Sequence, residues 1–169
     1  MVRKLIGKWL GYEAQIVELE EQVKALGYDS VFGVYCRNAF LSMCKKQSRS
    51  KKVFIYLDFD GIHRLNTEWG YEEVNRKIKD LFKNLRSDAL VGRLFSGDEI
   101  CISLSTEDMN EAEVAAQRLE EEAEKRGLSF TYEMSDPVYP SECLEDLINA
   151  MAESVLKRKA ARGNSRATN

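Results

Sequence analysis

The chain reads as an α/β sandwich domain preceded by a separate helix, and three observations predict this. Val53-Phe54-Ile55-Tyr56-Leu57 is an unbroken apolar run ending in Asp58, the pattern of a central strand covered on both faces. From Arg37 onward the helical and extended patterns follow the order α, β, α, β, β, α, β, α, the alternation of a sheet with packed helices. Before it, Leu5, Trp9, Tyr12, Ile16, Leu19, Val23 and Leu26 are spaced 4, 3, 4, 3, 4, 3, a heptad seam that stands apart from the alternation.

A chain of 169 residues suffices for one domain with a true core and an appendage. Its 25 basic and 28 acidic residues leave a net charge of −3, so no general basic character points to nucleic acid. Cys36, Cys44, Cys101 and Cys143 stand singly, without CxxC spacing. That usage suits buried reduced thiols in a cytoplasmic protein better than a disulfide or zinc framework. Arg3 and Lys4 precede a segment that Lys8, Glu13 and Glu18 interrupt, so neither a signal peptide nor a membrane span is expected.

In the heptad segment, Trp9, Ile16 and Val23 fall at a, and Leu5, Tyr12, Leu19 and Leu26 at d. Branched a positions with mainly Leu at d favour a parallel two-stranded coil, so a homodimer is expected. A helix packed on its own domain is the alternative, and Gly7 and Gly11 weaken the first turns. Gly27 supplies the stop. The expected boundaries are 1–27 for the coil, 28–164 for the domain and 165–169 for a disordered tail.

Asp29-Ser30 then reads as a loop, and Arg37 to Gln47 as a helix with Phe40, Met43 and Cys44 inward. After the Val53 strand, Asp58 and Asp60 share one side if extension persists. Gly61 to Asn66 is a short helical turn, and Tyr71 to about Leu85 a helix with Val74, Ile78, Leu81, Phe82 and Leu85 on one face. Val91 to Ile102 is a strand, a tight turn at Ser96-Gly97-Asp98-Glu99, and a strand. Glu111 to Arg126 carries an apolar stripe at Ala112, Ala115, Leu119 and Ala123, ended by Gly127. Leu128 to Met134 is a strand. A last helix from about Ser141 to Lys159 buries Leu144, Leu147, Ile148, Met151 and Val155, with a frayed polar tail from Ala160. This order resembles a ferredoxin-like palm, a central antiparallel sheet flanked by helices, with sheet as one layer and helices as the other.

Acids at the end of a central strand (Asp58) and at a hairpin turn (Asp98, Glu99) form the pattern that two-metal phosphoryl transfer needs. The bland reading is a solvated Gly-Asp turn. Several separated motifs, in order, resemble the GGDEF domain, a family of nucleotidyl cyclases that typically make cyclic di-GMP. Ser96-Gly97-Asp98-Glu99-Ile100 matches its signature, and Asp58-Phe59-Asp60-Gly61-Ile62-His63-Arg64-Leu65-Asn66 with Gly70 matches its metal strand and nucleotide segment. Asp29 to Val34 with Arg37, Ala39 and Phe40 resembles the opening motif, and Lys159 and Asn164 stand at the closing Lys and Asn. The resemblance covers about residues 29–164.

It implies two Mg²⁺ (or Mn²⁺) ions held by Asp58, Asp98 and the Phe59 carbonyl, with Glu99 supporting metals and transition state. Asn66 would contact the purine, Lys159 would grip the triphosphate, and Gly97 would keep the turn open. It further implies GTP as substrate and two domains facing each other, each nucleotide attacking the other.

The chain departs from the pattern at definite places. Ser96 and Ile100 replace a Gly and a Phe of the signature, and Arg93 lies one residue farther from it than usual, so either the strand bulges at Phe95 or this Arg is not equivalent. Asn75 stands at the guanine-reading Asp. An amide offers one acceptor and one donor where a carboxylate offers only acceptors, so ATP also becomes conceivable; a plain helix-surface Asn is the alternative. His63 replaces a Lys and could touch phosphate when protonated, a solvated turn residue being the other reading. Tyr71 replaces a His, and Arg162 is displaced by one position. The Arg-x-x-Asp feedback motif is not intact at Arg86-Ser87-Asp88, so no such feedback is expected. Two functions follow: a metal-dependent dinucleotide cyclase, or a catalytically degenerate domain that binds nucleotide or protein and is assembled by its coil.

Overall fold

A computed structural model of the chain describes residues 27–47, 49–83, 85, 88–95, 97–140 and 143–167, with side chains to residue 162. The expected coiled coil, the Ser96 and Ser141 positions, Arg86-Ser87 and the Asn164 side chain lie outside the described residues.

Strands β1 (Tyr28–Asp29), β2 (Val34–Cys36), β3 (Val53–Phe59), β4 (Leu90–Arg93), β5 (Glu99–Leu104) and β6 (Phe130–Met134) form one sheet. Its order is β1-β2-β4-β5-β3-β6. Helices α1 (Arg37–Lys46), α2 (Ile62–Trp69), α3 (Tyr71–Phe82), α4 (Met109–Lys125) and α5 (Leu144–Ala167) pack against it. Five strand pairings hold the sheet: all are antiparallel except β2 with β4, which is parallel, so the sheet is mixed where an antiparallel one was expected. β1 and β2 are also new, in place of the expected loop. Their turn closes through Gly33, whose φ of +68° suits glycine, and strands of this length are too short to show a period-2 pattern.

β3 is central because both its faces are covered. Side chains alternate along it. Val53, Ile55, Leu57 and Phe59 enter a core with Leu65 of α2, Val74, Ile78 and Leu81 of α3, and Ala112, Ala116, Leu119 and Ala123 of α4. Phe54 and Tyr56 enter the opposite core with Phe40, Leu41 and Cys44 of α1 and Leu144, Ile148, Met151 and Val155 of α5. The architecture is therefore helix, sheet, helix: three layers, not the two expected. Each large side chain fully buried this way contributes roughly 1.5–3 kcal/mol.

Helix limits follow local chemistry. α4 starts two residues before the expected Glu111 because Asp108 caps it, its carboxylate accepting from the Asn110 N–H at 2.9 Å. Its buried stripe is Ala112, Ala116, Leu119 and Ala123, with Ala116 in the place expected of Ala115. α2 and α3 meet at Gly70, whose φ of +84° turns the chain sharply between them. α5 continues to Ala167, eight residues beyond the expected end at Lys159. Cys44 and Cys101 are buried as expected, whereas Cys143 is exposed. No described helix is long and apolar enough to cross a membrane.

Candidate active site

The parity that buries Phe54 and Tyr56 under α1 and α5 carries Asp58 to the same face, at the end of β3. There Asp58 stands opposite Glu99 of β5 and Thr131 of β6, so three residues distant in sequence share one surface. Asp98, one residue before β5, completes the acids. Its carboxyl is raised above the usual range, first by burial and then by the Asp58 charge, with Glu99 adding to the effect and Lys159 opposing it. Beneath them, Tyr56 is also pushed up, by burial and then by Glu99 and Asp58.

From α5, Lys159 Nζ reaches Asp58 Oδ1 at 2.7 Å and Asp60 Oδ1 at 3.1 Å, and donates to the Phe59 carbonyl at 2.7 Å. Asp58 and Asp60 therefore do share a side. Thr131 Oγ1 donates to Asp60 at 3.1 Å, and Arg162 Nη1 donates to Thr131 Oγ1 at 3.0 Å. Arg162 thus joins the site through Thr131, a residue that no sequence pattern marks, because its role comes only from the β3–β6 register.

The signature turn is braced from outside. Arg93 is the last residue of β4 and pairs with Ile100, and the described β4–β5 ladder is one-for-one to this point, without a bulge. Arg93 Nε donates to the Gly97 carbonyl at 2.8 Å and Nη1 to Asp29 Oδ2 at 2.9 Å. Its guanidinium lies 4.1 Å from the centre of the Phe32 ring. The opening motif thereby holds the turn, a role for Asp29 and Phe32 that sequence spacing does not show.

Gly97 leaves room that a side chain would fill: a Cβ there would lie 2.5 Å from Glu99 Oε2. Among the described residues, that oxygen is buried with no hydrogen-bond partner, and the same holds for Asn66 Oδ1 on α2. An unpartnered buried carboxylate oxygen is costly unless something else meets it. Asn75 is half-buried on α3 beside fully buried Val74, and His63 is exposed on α2. Among the described residues, no hydrogen bond ties Asn66, Asn75 or His63 to the acids; Asn66 and His63 lie on α2 and Asn75 on α3.

Among the described residues, no group of three or more His, Cys, Asp or Glu side chains is gathered tightly enough to hold a metal ion. The expected ligand set is different in kind: two carboxylates and a backbone carbonyl, all oxygen donors suited to a hard cation. Its fit rests on the raised Asp98 carboxyl beside Asp58 and on the orphaned Glu99 oxygen, both of which added positive charge would relieve.

Comparisons with known proteins identify the family and the fold. Residues 27–139 match the family model described as diguanylate cyclase, GGDEF domain. The cyclic di-GMP phosphodiesterase NbdA of Pseudomonas aeruginosa is 29% identical over 142 residues, 73% of this chain but only 18% of that protein. The chain therefore spans under a fifth of this curated relative's length. Among solved structures, the diguanylate cyclase SiaD of Pseudomonas aeruginosa, crystallised with its activator SiaC, superposes with a TM-score of 0.68 at 19% identity, covering 95% of this chain and 68% of that one. The coiled coil and GGDEF domain of DgcB from Caulobacter crescentus, in complex with c-di-GMP, gives 0.66 at 14% identity, covering 93% and 95%. At such identities the structural likeness concerns the fold. The matched segment takes in more than half of the chain, all six strands and the acids of the site, and the chain belongs to the GGDEF domain family.

Proposed function

We propose that this domain condenses two purine nucleoside triphosphates, GTP or ATP, into a cyclic dinucleotide, cyclic di-GMP or a relative, across a dimer of domains. The observation that carries the reading is the register of Asp58 opposite Glu99, which gathers the strand-end and hairpin acids on one surface. Under it, Asp58, Asp98 and the Phe59 carbonyl hold Mg²⁺ or Mn²⁺, whose chemistry is to neutralise charge on the transferring phosphoryl group. Asn66 and Asn75 meet the purine edge. Lys159 and Arg162, with His63 when protonated, meet the triphosphate, and Gly97 lets it approach the turn. Glu99 supports the charge of the reacting centre.

One domain presents one such set, so two must face each other. Each 3′-hydroxyl attacks the α-phosphate of the other nucleotide, forming two phosphodiester bonds and releasing two pyrophosphates. Parallel pairing through the heptad seam of residues 5–26 belongs to the same proposal, because tethering raises the effective concentration of the half-sites.

The test incubates the purified chain, at concentrations where it is dimeric, with Mg²⁺ and GTP, ATP or both, and resolves products by mass spectrometry. A cyclic or linear dinucleotide is expected, and Asp98→Ala abolishes it while leaving circular dichroism unchanged. Absence of any dinucleotide from every mixture overturns the enzyme reading. A second reading, a degenerate domain that binds nucleotide without turnover, is favoured by the departures at Phe32, Cys36, Asn75, Tyr132 and Gly163 and by a relative named for degrading cyclic di-GMP. It predicts nucleotide binding without product.

A further inference from the structure

We infer that Lys159 is an internal counter-cation that competes with a divalent cation for Asp58 and the Phe59 carbonyl, so that metal and nucleotide bind this domain cooperatively. The inference rests on the reading of those two groups as metal ligands.

The geometry is specific. Lys159 Nζ lies within 3.1 Å of three oxygens: Asp58 Oδ1, Asp60 Oδ1 and the Phe59 carbonyl. An ammonium has three donors and no acceptor, so this one is fully spent on its acceptors. Two of the three are the oxygens assigned to metal. A divalent cation on them would stand against the ammonium at a few ångströms, and like charges at that distance repel strongly in a partly buried site.

Asp60, the third partner, is held separately by the Thr131 hydroxyl, which Arg162 also holds. Lys159 can therefore leave Asp58 and the carbonyl and keep Asp60. Its flexible four-carbon stem makes such a move easy, and a triphosphate offers the displaced donors new acceptors. Nucleotide then frees the metal ligands, and by linkage metal strengthens nucleotide binding by the same factor. If Lys159 were only a tether between α5 and β3, its removal would loosen the fold without improving metal affinity.

Mn²⁺ binding to the full chain, followed by the electron paramagnetic resonance of free Mn²⁺, separates these cases. Wild type, Lys159→Met and Asp58→Asn are compared with and without the α,β-methylene analogue of GTP; Asp58→Asn reports chelation by the analogue itself. Lys159→Gln replaces the Met variant should that one fail to fold. Without nucleotide, Lys159→Met is expected to bind Mn²⁺ several-fold more tightly, up to about fivefold for a partly exposed pair. The analogue tightens Mn²⁺ binding to wild type, and this gain shrinks in the variant. Equal or weaker Mn²⁺ affinity in a folded Lys159 variant overturns the inference while Asp58-dependent binding leaves the proposed function standing. Mn²⁺ binding that ignores Asp58→Asn, or that is absent throughout, overturns the metal reading and the inference with it.

Discussion

Asp58 and Glu99 stand directly opposite each other in the β3–β5 ladder, and their carboxylates are treated differently. Asp58 is ion-paired to Lys159, whereas Glu99 Oε2 is buried without a hydrogen-bond partner among the described residues. The backbone of one antiparallel pair thus presents two acids to one surface, one neutralised from α5 and one with an unpartnered oxygen. Cross-strand neighbours are about 5 Å apart at Cβ, so their proximity follows from register and needs no long loop to hold it.

Gly97 is the residue that lets Glu99 take this position. In Gly97→Ala the new methyl would sit 2.5 Å from Glu99 Oε2, and the carboxylate, as the free end of a flexible chain, moves away. Folding should be little affected, with Tm within about 3 °C of wild type, while dinucleotide formation falls by roughly 10²-fold, the usual scale for losing one positioned group at a reacting centre. Activity and melting measured side by side check this. A fully active Gly97→Ala protein contradicts the role given to the turn.

Asn75 sits on α3 across Gly70 from Asn66. A carboxylate there accepts both guanine N–H groups, and a hydrogen bond to a charged group is worth about 1.5–3 kcal/mol. Asn75→Asp should therefore raise the ratio of GTP to ATP affinity by roughly tenfold or more. Competition between the two nucleotides reads the ratio directly, and an unchanged value removes Asn75 from the purine site.

Away from the acids, α1 packs closely on β4. A Cβ on Gly92 of β4 would clash with Phe40 Cγ and lie 2.5 Å from Phe40 Cβ, and Phe40 is fully buried. Overpacking of this kind costs about 1–3 kcal/mol. Gly92→Ala should lower the urea midpoint accordingly. Wild-type stability in Gly92→Ala would mean that α1 does not pack on β4 this closely.

The thiols should divide by burial. Burial pushes Cys44 up to about 12 and Cys101 well above its ordinary value. A raised thiol stays protonated, and the thiolate is the reactive form. At pH 8, Ellman's reagent should label Cys143 in the native protein and reach Cys44 and Cys101 only after unfolding. Rapid native labelling of either buried thiol, located by peptide mass spectrometry, would contradict the packing of α1 on β5.

Several features were legible from residues alone because each depends on neighbours a few positions away. The Val53–Leu57 run announces a strand covered on both faces, and the Val74, Ile78, Leu81 stripe announces α3. Gly97-Asp98 announces a turn, and the acids at Asp58 and Asp98 announce a candidate site. Periodicity fails for β1 and β2, whose few residues show no repeat, and for the far end of α5, where polar residues continue the helix to Ala167.

Local sequence settles which segments are strand or helix and which residues bring oxygen or charge, since these follow from spacing, side-chain type and turn geometry. Register and packing settle the rest: that Thr131 and Glu99 flank Asp58 on one face, that Arg93 braces the turn through Asp29, and that Lys159 lies on the Phe59 carbonyl. That last contact joins residues 100 positions apart. It exists only because α5 packs on the face of the sheet where the even positions of β3 point, and no pattern within either segment contains that packing.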